Sequence, residues 1–230
     1  AERAATQEVA DYLRHCEARL REEAERADMY LDAATRRPLL ACVEQQLVRR
    51  HAGALLERGF DGMMAADRRA DLRRLYALYA RVDALGEVRT AWLHYARAQA
   101  EAMVMDDEKL PTLVEELLAF KARLDSVLAE CFDGDRELAR ALSDALEHAV
   151  NARPNKPAEM IAKFVDARLR AGGSKGGTEE ETEQTLERAM VLFRYVHGKD
   201  VFQAFYKKDL AKRLLLGKSA SMDAERAMIA

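Results

Sequence analysis

From Gln7 to Asp32 the apolar residues Val9, Leu13, Cys16, Leu20, Ala24, Ala27 and Leu31 keep a near-heptad stripe on an otherwise charged segment. This is the pattern of one helix, about 39 Å long at 1.5 Å per residue. Pro38 suits a first helical position, and Leu39, Leu40, Val43, Leu47 and Val48 predict a helix running towards Gly53 or Gly59. The stretch Phe60 to Met64 reads as a brief apolar turn. Leu72, Leu75, Tyr76, Tyr79 and Val82 mark a helix from about Asp67 to Ala84, closed by Gly86. The next carries Val88, Trp92, Tyr95, Ala96, Gln99 and Met103, which puts the single Trp on a buried face. After Asp107 and Pro111 a long helix holds Leu113, Leu117, Phe120, Leu124, Val127 and Cys131. Asp135 opens another with Leu138, Leu142, Leu146 and Val150. Pro154 and Pro157 break the chain, Pro157 at a first helical position, and Ile161, Phe164, Val165 and Leu169 follow.

The segment GGSKGG, Gly172 to Gly177, reads as a flexible linker and a domain boundary. Thr178 and Glu181 then form a T-x-x-E capping box that starts a helix through Met190, Phe193 and Val196. In the last helix Val201, Phe202, Phe205, Tyr206, Leu210 and Leu214 recur at helical spacing, with Lys207, Lys208, Lys212 and Arg213 assigned to the opposite side. Asp200 stands at the expected N-cap, with Gly198 ending the preceding helix and Gly217 ending this one. No period-2 alternation occurs, so no strand is expected. The pattern gives an all-α chain: two blocks of antiparallel helices, then the start of a third.

Composition narrows the class. The 230 residues are 49% hydrophobic and 33% charged, with only 11 Gly and 4 Pro, a helix-rich balance expected to form several local cores. A net charge of -3 from 37 basic and 40 acidic residues gives no global attraction to nucleic acid or an anionic membrane. Cys16, Cys42 and Cys131 are widely spaced, and each is expected to pack as a small apolar residue. Apolar runs fall far short of the ~20 residues that span a bilayer, and no signal-peptide pattern opens the chain. An intracellular, reducing compartment is therefore expected. The first residue is not Met and SMDAERAMIA reads as the opening turns of a helix, so the sequence looks like a piece of a longer protein.

Candidate chemistry is sparse. Gly217, Lys218 and Ser219 imitate the end of a P-loop, but Lys212 stands where that motif needs Gly, and the tripeptide follows a helix instead of opening one. The five histidines are dispersed, without H-E-x-x-H or Cys/His spacing. No nucleophile, base and orienter can be assembled, so no catalytic residue, cofactor or metal is assigned. Between Lys199 and Lys218 six basic residues face two acidic ones. This stripe is either a solvated helix face or a docking surface for an acidic partner. Nucleic acid fits less well, because no aromatic residue interleaves the exposed positives.

Three segments carry a family resemblance. KDVFQAFYKKDLAKRLLLGKSASMDAE, Lys199 to Glu225, resembles the start of the C-terminal domain of the cullins, scaffold subunits of multisubunit ubiquitin ligases, and is most like the cullin 4 type. NARPNKPAEMIAKFVDARLRAG, Asn151 to Gly172, resembles the end of that family's third N-terminal repeat. EVADYLRHCEARLREEAERADMYLD, Glu8 to Asp32, resembles a helix of the second. The resemblance implies stacked antiparallel five-helix cullin repeats forming an elongated stalk, followed by the first helices of a C-terminal bundle. Residues 1–85 would be a partial second repeat, 86–171 the third, 172–177 a linker and 178–230 the truncated start of the bundle. It further implies a non-catalytic scaffold that holds a substrate receptor and a RING module at fixed separation. The β-propeller adaptor and the RING protein would both bind outside these residues. Lys207, Lys208, Lys212 and Arg213 would help attract the acidic tail of a ubiquitin-conjugating enzyme. A helical-repeat tether unrelated to ubiquitin is the alternative the helix pattern leaves open.

Overall fold

The computed structural model describes residues 2–170, 179–219 and 225–226, and the side chains of these except residues 2–5, 179, 181 and 182. The GGSKGG linker, the Thr178–Glu181 capping box and most of the last ten residues lie outside the described residues. Between residues 2 and 215 the described residues form α1 Glu2–Tyr30, α2 Ala33–Leu47, α3 Ala52–Ala65, α4 Arg69–Arg81, α5 Leu85–Met105, α6 Leu113–Cys131, α7 Arg136–Asn151, α8 Lys156–Leu169, α9 Glu179–Tyr195 and α10 Lys199–Leu215. A 3-10 turn, Arg49–His51, joins α2 to α3. Among the described residues the one extended pairing is an isolated antiparallel bridge between Arg170 and Ser219. The all-α expectation is met.

The chain divides into two compact units, residues 1–95 with 124–142 and residues 96–123 with 143–230. In the first unit α1 packs on α2, α3 and α4. Its stripe buries Val9, Ala10, Leu13, Cys16, Leu20 and Ala27, whereas Leu31 is exposed together with Met29 and Tyr30. Gly53 and Gly59 do not end a helix, as the sequence had suggested, but lie with Gly62 inside α3. A Cβ on Gly59 would sit 2.7 Å from Val9 Cγ1, and one on Gly62 1.9 Å from Thr6 Oγ1. Gly59 and Gly62 therefore let two helix backbones approach, and Phe60, Met63 and Met64 are core residues of α3, not a turn. Pro38 is likewise interior to α2, because Asp32 caps that helix earlier, accepting from the Ala34 N–H at 2.8 Å.

The turn after α4 is made by Asp83 at φ 54°, while Gly86 belongs to the first turn of α5. Trp92 is fully buried and donates its indole N–H to the Leu138 carbonyl at 3.0 Å, with its ring edge-on to Phe132. Gln99 is exposed, and Ala100 and Val104 continue the buried face in its place. Every apolar residue expected in α6 and α7 is buried, and Asp135 caps α7 by accepting from the Glu137 and Leu138 amides. Cys16 and Cys131 are buried as expected, but Cys42 is exposed on α2.

In the second unit α8 packs on both α9 and α10. Asn155, at φ 63°, takes the N-cap position of α8, and Pro157 sits in its first turn. Leu186, Ala189 and Leu192 form the buried face of α9, with Val196 buried just after it, and Phe193 meets Phe202 of α10 with ring centroids 4.4 Å apart.

Candidate protein-binding surface

Helix α10 starts after Gly198, which places Asp200 in its first turn and not at the cap. It ends at a left-handed Gly217, φ 62°, where the Lys218 N–H bonds the Arg213 carbonyl and the Gly217 N–H bonds that of Leu214. These two bonds close the helix as a Schellman motif. Gly217, Lys218 and Ser219 therefore terminate a helix, the reverse of a phosphate-binding loop.

The buried side of α10 is narrower and more polar than its spacing implied. Phe202 and Tyr206 are buried, Val201, Phe205 and Leu210 are half-buried, and Leu214 is exposed. Arg213 takes the position expected for an apolar residue: it is only 1% exposed. Its place on the basic surface is thus withdrawn, for a geometric reason. Arg213 lies seven residues after Tyr206 and eleven after Phe202, so it continues the aromatic stripe and does not oppose it.

A closed ion network surrounds it. Arg213 Nε and Nη2 donate to the two oxygens of Glu225 at 2.8 and 2.9 Å, and Nη1 pairs with Asp166 of α8. The Tyr206 hydroxyl donates to Glu225 at 3.2 Å and the Ser219 hydroxyl at 2.9 Å. Arg170 reaches the second oxygen of Asp166 at 2.6 Å. Two cations meet two carboxylates, which is what burial of such groups requires. Burial alone would raise the Glu225 carboxyl, but bonds from Arg213 and Ser219 outweigh it and hold that group below the ordinary glutamate value. Burial, followed by the Glu225 charge, pushes the Tyr206 phenol up to about 12. Burial opposes the Arg213 charge, yet the two carboxylates raise its pKa and keep it protonated.

Lys207, Lys208 and Lys212 are exposed, as expected, with Lys199 and Lys218 also exposed. Lys212 is 3.6 Å from Asp209, whereas Lys207 and Lys208 have no ion-pair partner among the described residues. The exposed surface is thus formed by lysines, without Arg213. Sequence reasoning missed Asp166 and Glu225 altogether. The usable signal was an acid inside the apolar run Ile161, Val165, Leu169, matched by a base inside the run Phe202, Tyr206.

No group of three or more His, Cys, Asp or Glu among the described residues is placed to hold a metal ion, and no described helix is long and apolar enough to cross a membrane. The described residues thus form packed α-helices that carry a buried ion network and an exposed lysine face. The family model described as the Cullin alpha solenoid domain matches residues 1–230. Human Cullin-4A is 47% identical over 96% of this chain, Dictyostelium discoideum Cullin-4 is 43% identical over 96%, and Arabidopsis thaliana Cullin-3A is 38% identical over 96%. The chain belongs to the cullin family. It spans 29%, 28% and 31% of the length of these three relatives.

Proposed function

We propose that this chain is part of the scaffold subunit of a cullin-RING ubiquitin ligase of the cullin 4 type, and that it is non-catalytic. Its contribution is geometric. Packed helices hold a substrate receptor and a conjugating-enzyme module at a fixed separation, so the transfer encounter is close to intramolecular. The observation that carries this reading is the family match along all 230 residues, together with 47% and 43% identity to proteins named Cullin-4A and Cullin-4. Residues 1–85 would then belong to a second repeat, 86–171 to a third and 178–230 to the C-terminal bundle, with 172–177 as the joint. The β-propeller adaptor and the RING protein bind outside these residues, and the site of action is intracellular. Lys207, Lys208 and Lys212 form a landing surface for an acidic tail of the conjugating enzyme, without Arg213.

The test is reconstitution. The complete polypeptide, mixed with a RING protein, activating and conjugating enzymes and a receptor-bound substrate, is expected to copurify with the RING protein and to accelerate ubiquitin transfer. The 230-residue chain alone should do neither. A complete polypeptide that fails to bind any RING protein would remove the proposal.

A further inference from the structure

Asn151 is the last residue of α7, and its side chain serves the turn between α9 and α10. Helix α9 ends at Tyr195, and the amide four residues on, that of Lys199, bonds the His197 carbonyl instead. The Phe193 carbonyl, which a further helical turn would offer to His197, is taken by Val196. The turn is thus left with one backbone acceptor and one backbone donor to satisfy. Asn151 meets both. Its Nδ2 donates to the Tyr195 carbonyl at 2.7 Å, and its Oδ1 accepts from the His197 N–H at 2.9 Å. Nδ2 also donates to the Glu147 carbonyl at 2.7 Å, one turn back in α7, which holds the side chain in place. Only Asn and Gln carry a donor and an acceptor on one planar amide, and Asn has the shorter reach.

The other attachments of this turn are weaker. His197 Nε2 meets Glu147 Oε1 at 2.7 Å, but both side chains are exposed, and such pairs contribute little. Towards the start of α8 the turn borders a cleft of about 230 Å3, lined by Asn151, Asn155, Pro157, Val196, His197 and Gly198, so its packing on that side is incomplete. Helix α10, about 25 Å long, rests on α8 and is tied to it near its far end by the pair of Arg213 with Asp166. A helix that rests on one other helix can still pivot about that contact. A second attachment, to α7 at its near end, removes the pivot.

We infer that Asn151 is a pin: its amide fastens the α9–α10 turn to the end of α7 and thereby fixes the direction of α10. Asn151 is a positioning residue for the lysine face, acting through the helix that carries Lys207, Lys208 and Lys212. The placement of α10 holds whether or not that face meets a conjugating enzyme; its consequence for transfer rests on the landing-surface reading.

The experiment separates the two ends of α10 in the 230-residue chain, with Cys42→Ser, since Cys16 and Cys131 are buried. One nitroxide pair, Asp144→Cys on α7 and Gln203→Cys on α10, reports the near end; a second, Ala167→Cys on α8 and Ala211→Cys on α10, reports the far end, all four positions being exposed. Two variants break the pin differently. Asn151→Leu removes its polar groups at similar volume, and Asn151→Asp keeps an acceptor but sets a carboxylate against two carbonyls. Either should stay folded by circular dichroism, widen the near-end distance distribution about twofold and leave the far end narrow. The His197 amide should exchange about tenfold faster with solvent. His197→Ala, which breaks only the exposed pair, should behave as the parent. Unchanged near-end distances in both Asn151 variants would overturn the pin, as would equal widening at both ends or failure of both to fold, since Asn151 would then serve general stability. An equal effect of His197→Ala would move the role off Asn151 and overturn it too. In the complete assembly, Asn151→Asp should slow ubiquitin transfer about threefold at subsaturating conjugating enzyme and much less at saturation. A wider near-end distribution with unchanged transfer would uphold the pin and remove the landing surface.

Discussion

Gly59 shows how one hydrogen atom can decide a helix crossing. Within a helix, Ala is favoured over Gly by about 1 kcal/mol, so Gly59→Ala ought to stabilise on propensity alone. The new Cβ would instead meet three Val9 atoms, Cγ1, Cβ and Cγ2, at 2.7, 2.8 and 3.0 Å. Val9 is itself 3% exposed and β-branched, so it has little room to turn away. Gly59→Ala is therefore expected to lower unfolding free energy by about 1–3 kcal/mol, the usual range for overpacking. Urea denaturation of the parent and the variant checks this, and a higher midpoint for the variant would refute the close-approach role. The sequence offered Gly59 as a helix end because a glycine's permissiveness and its smallness look the same in one dimension. Only the neighbour, Val9 fifty residues earlier, tells them apart. Arg213 is the same lesson for charge: its residue type placed it in water, while its spacing from Tyr206 placed it in the core.

At the level of elements the sequence was most legible where start signals and stripes agreed. Helices α6 and α7 match their expected spans because Asp135 is a strong cap and each apolar stripe keeps its period through the whole helix. Helices α2 and α3 were misdivided because Asp32, not Pro38, starts the first, and no propensity rule anticipates glycines inside the second. The Asp135 cap also carries a testable pH dependence. Burial works to raise its carboxyl, but the Leu138 amide, the Tyr76 hydroxyl and the Glu137 amide hold it below the ordinary aspartate value. A depressed folded-state pKa means that its stabilisation is present above the ordinary aspartate pKa and is lost as pH falls through the folded value. Asp135→Ala should cost about 1–2 kcal/mol at neutral pH, and the difference from the parent should shrink on acidification. Asp135→Asn should retain most of the cap, with a weaker acid dependence. Thermal melts across the acid range test this, and an Ala penalty that stayed constant down to the lowest pH would rule out the charged cap as its source.

For the molecule as a whole, a net charge of -3 conceals a local excess of the opposite sign, and that excess is the feature of this chain most open to a functional test. With Arg213 neutralised inside, α10 and its C-terminal turn still expose Lys199, Lys207, Lys208, Lys212 and Lys218. Lys208 and Lys212 are four residues apart, a spacing at which like charges repel by a few tenths of a kcal/mol. Such a face contributes little to folding. It does raise encounter rates with an acidic segment, and it does so in a salt-dependent way, because screening acts over about 8 Å at physiological ionic strength. Reversing Lys207 and Lys208 to Glu in the complete protein should therefore leave the melting temperature nearly unchanged. Ubiquitin transfer at subsaturating conjugating enzyme should slow, most at low salt and least at high salt. Arg213→Ala provides the contrast: removing one member of a buried ion network typically costs about 3–5 kcal/mol, so that variant should melt early at any ionic strength. Equal transfer rates for the double reversal and the parent at low ionic strength would reduce the lysine face to a solvated surface, while leaving the buried network and the family assignment untouched.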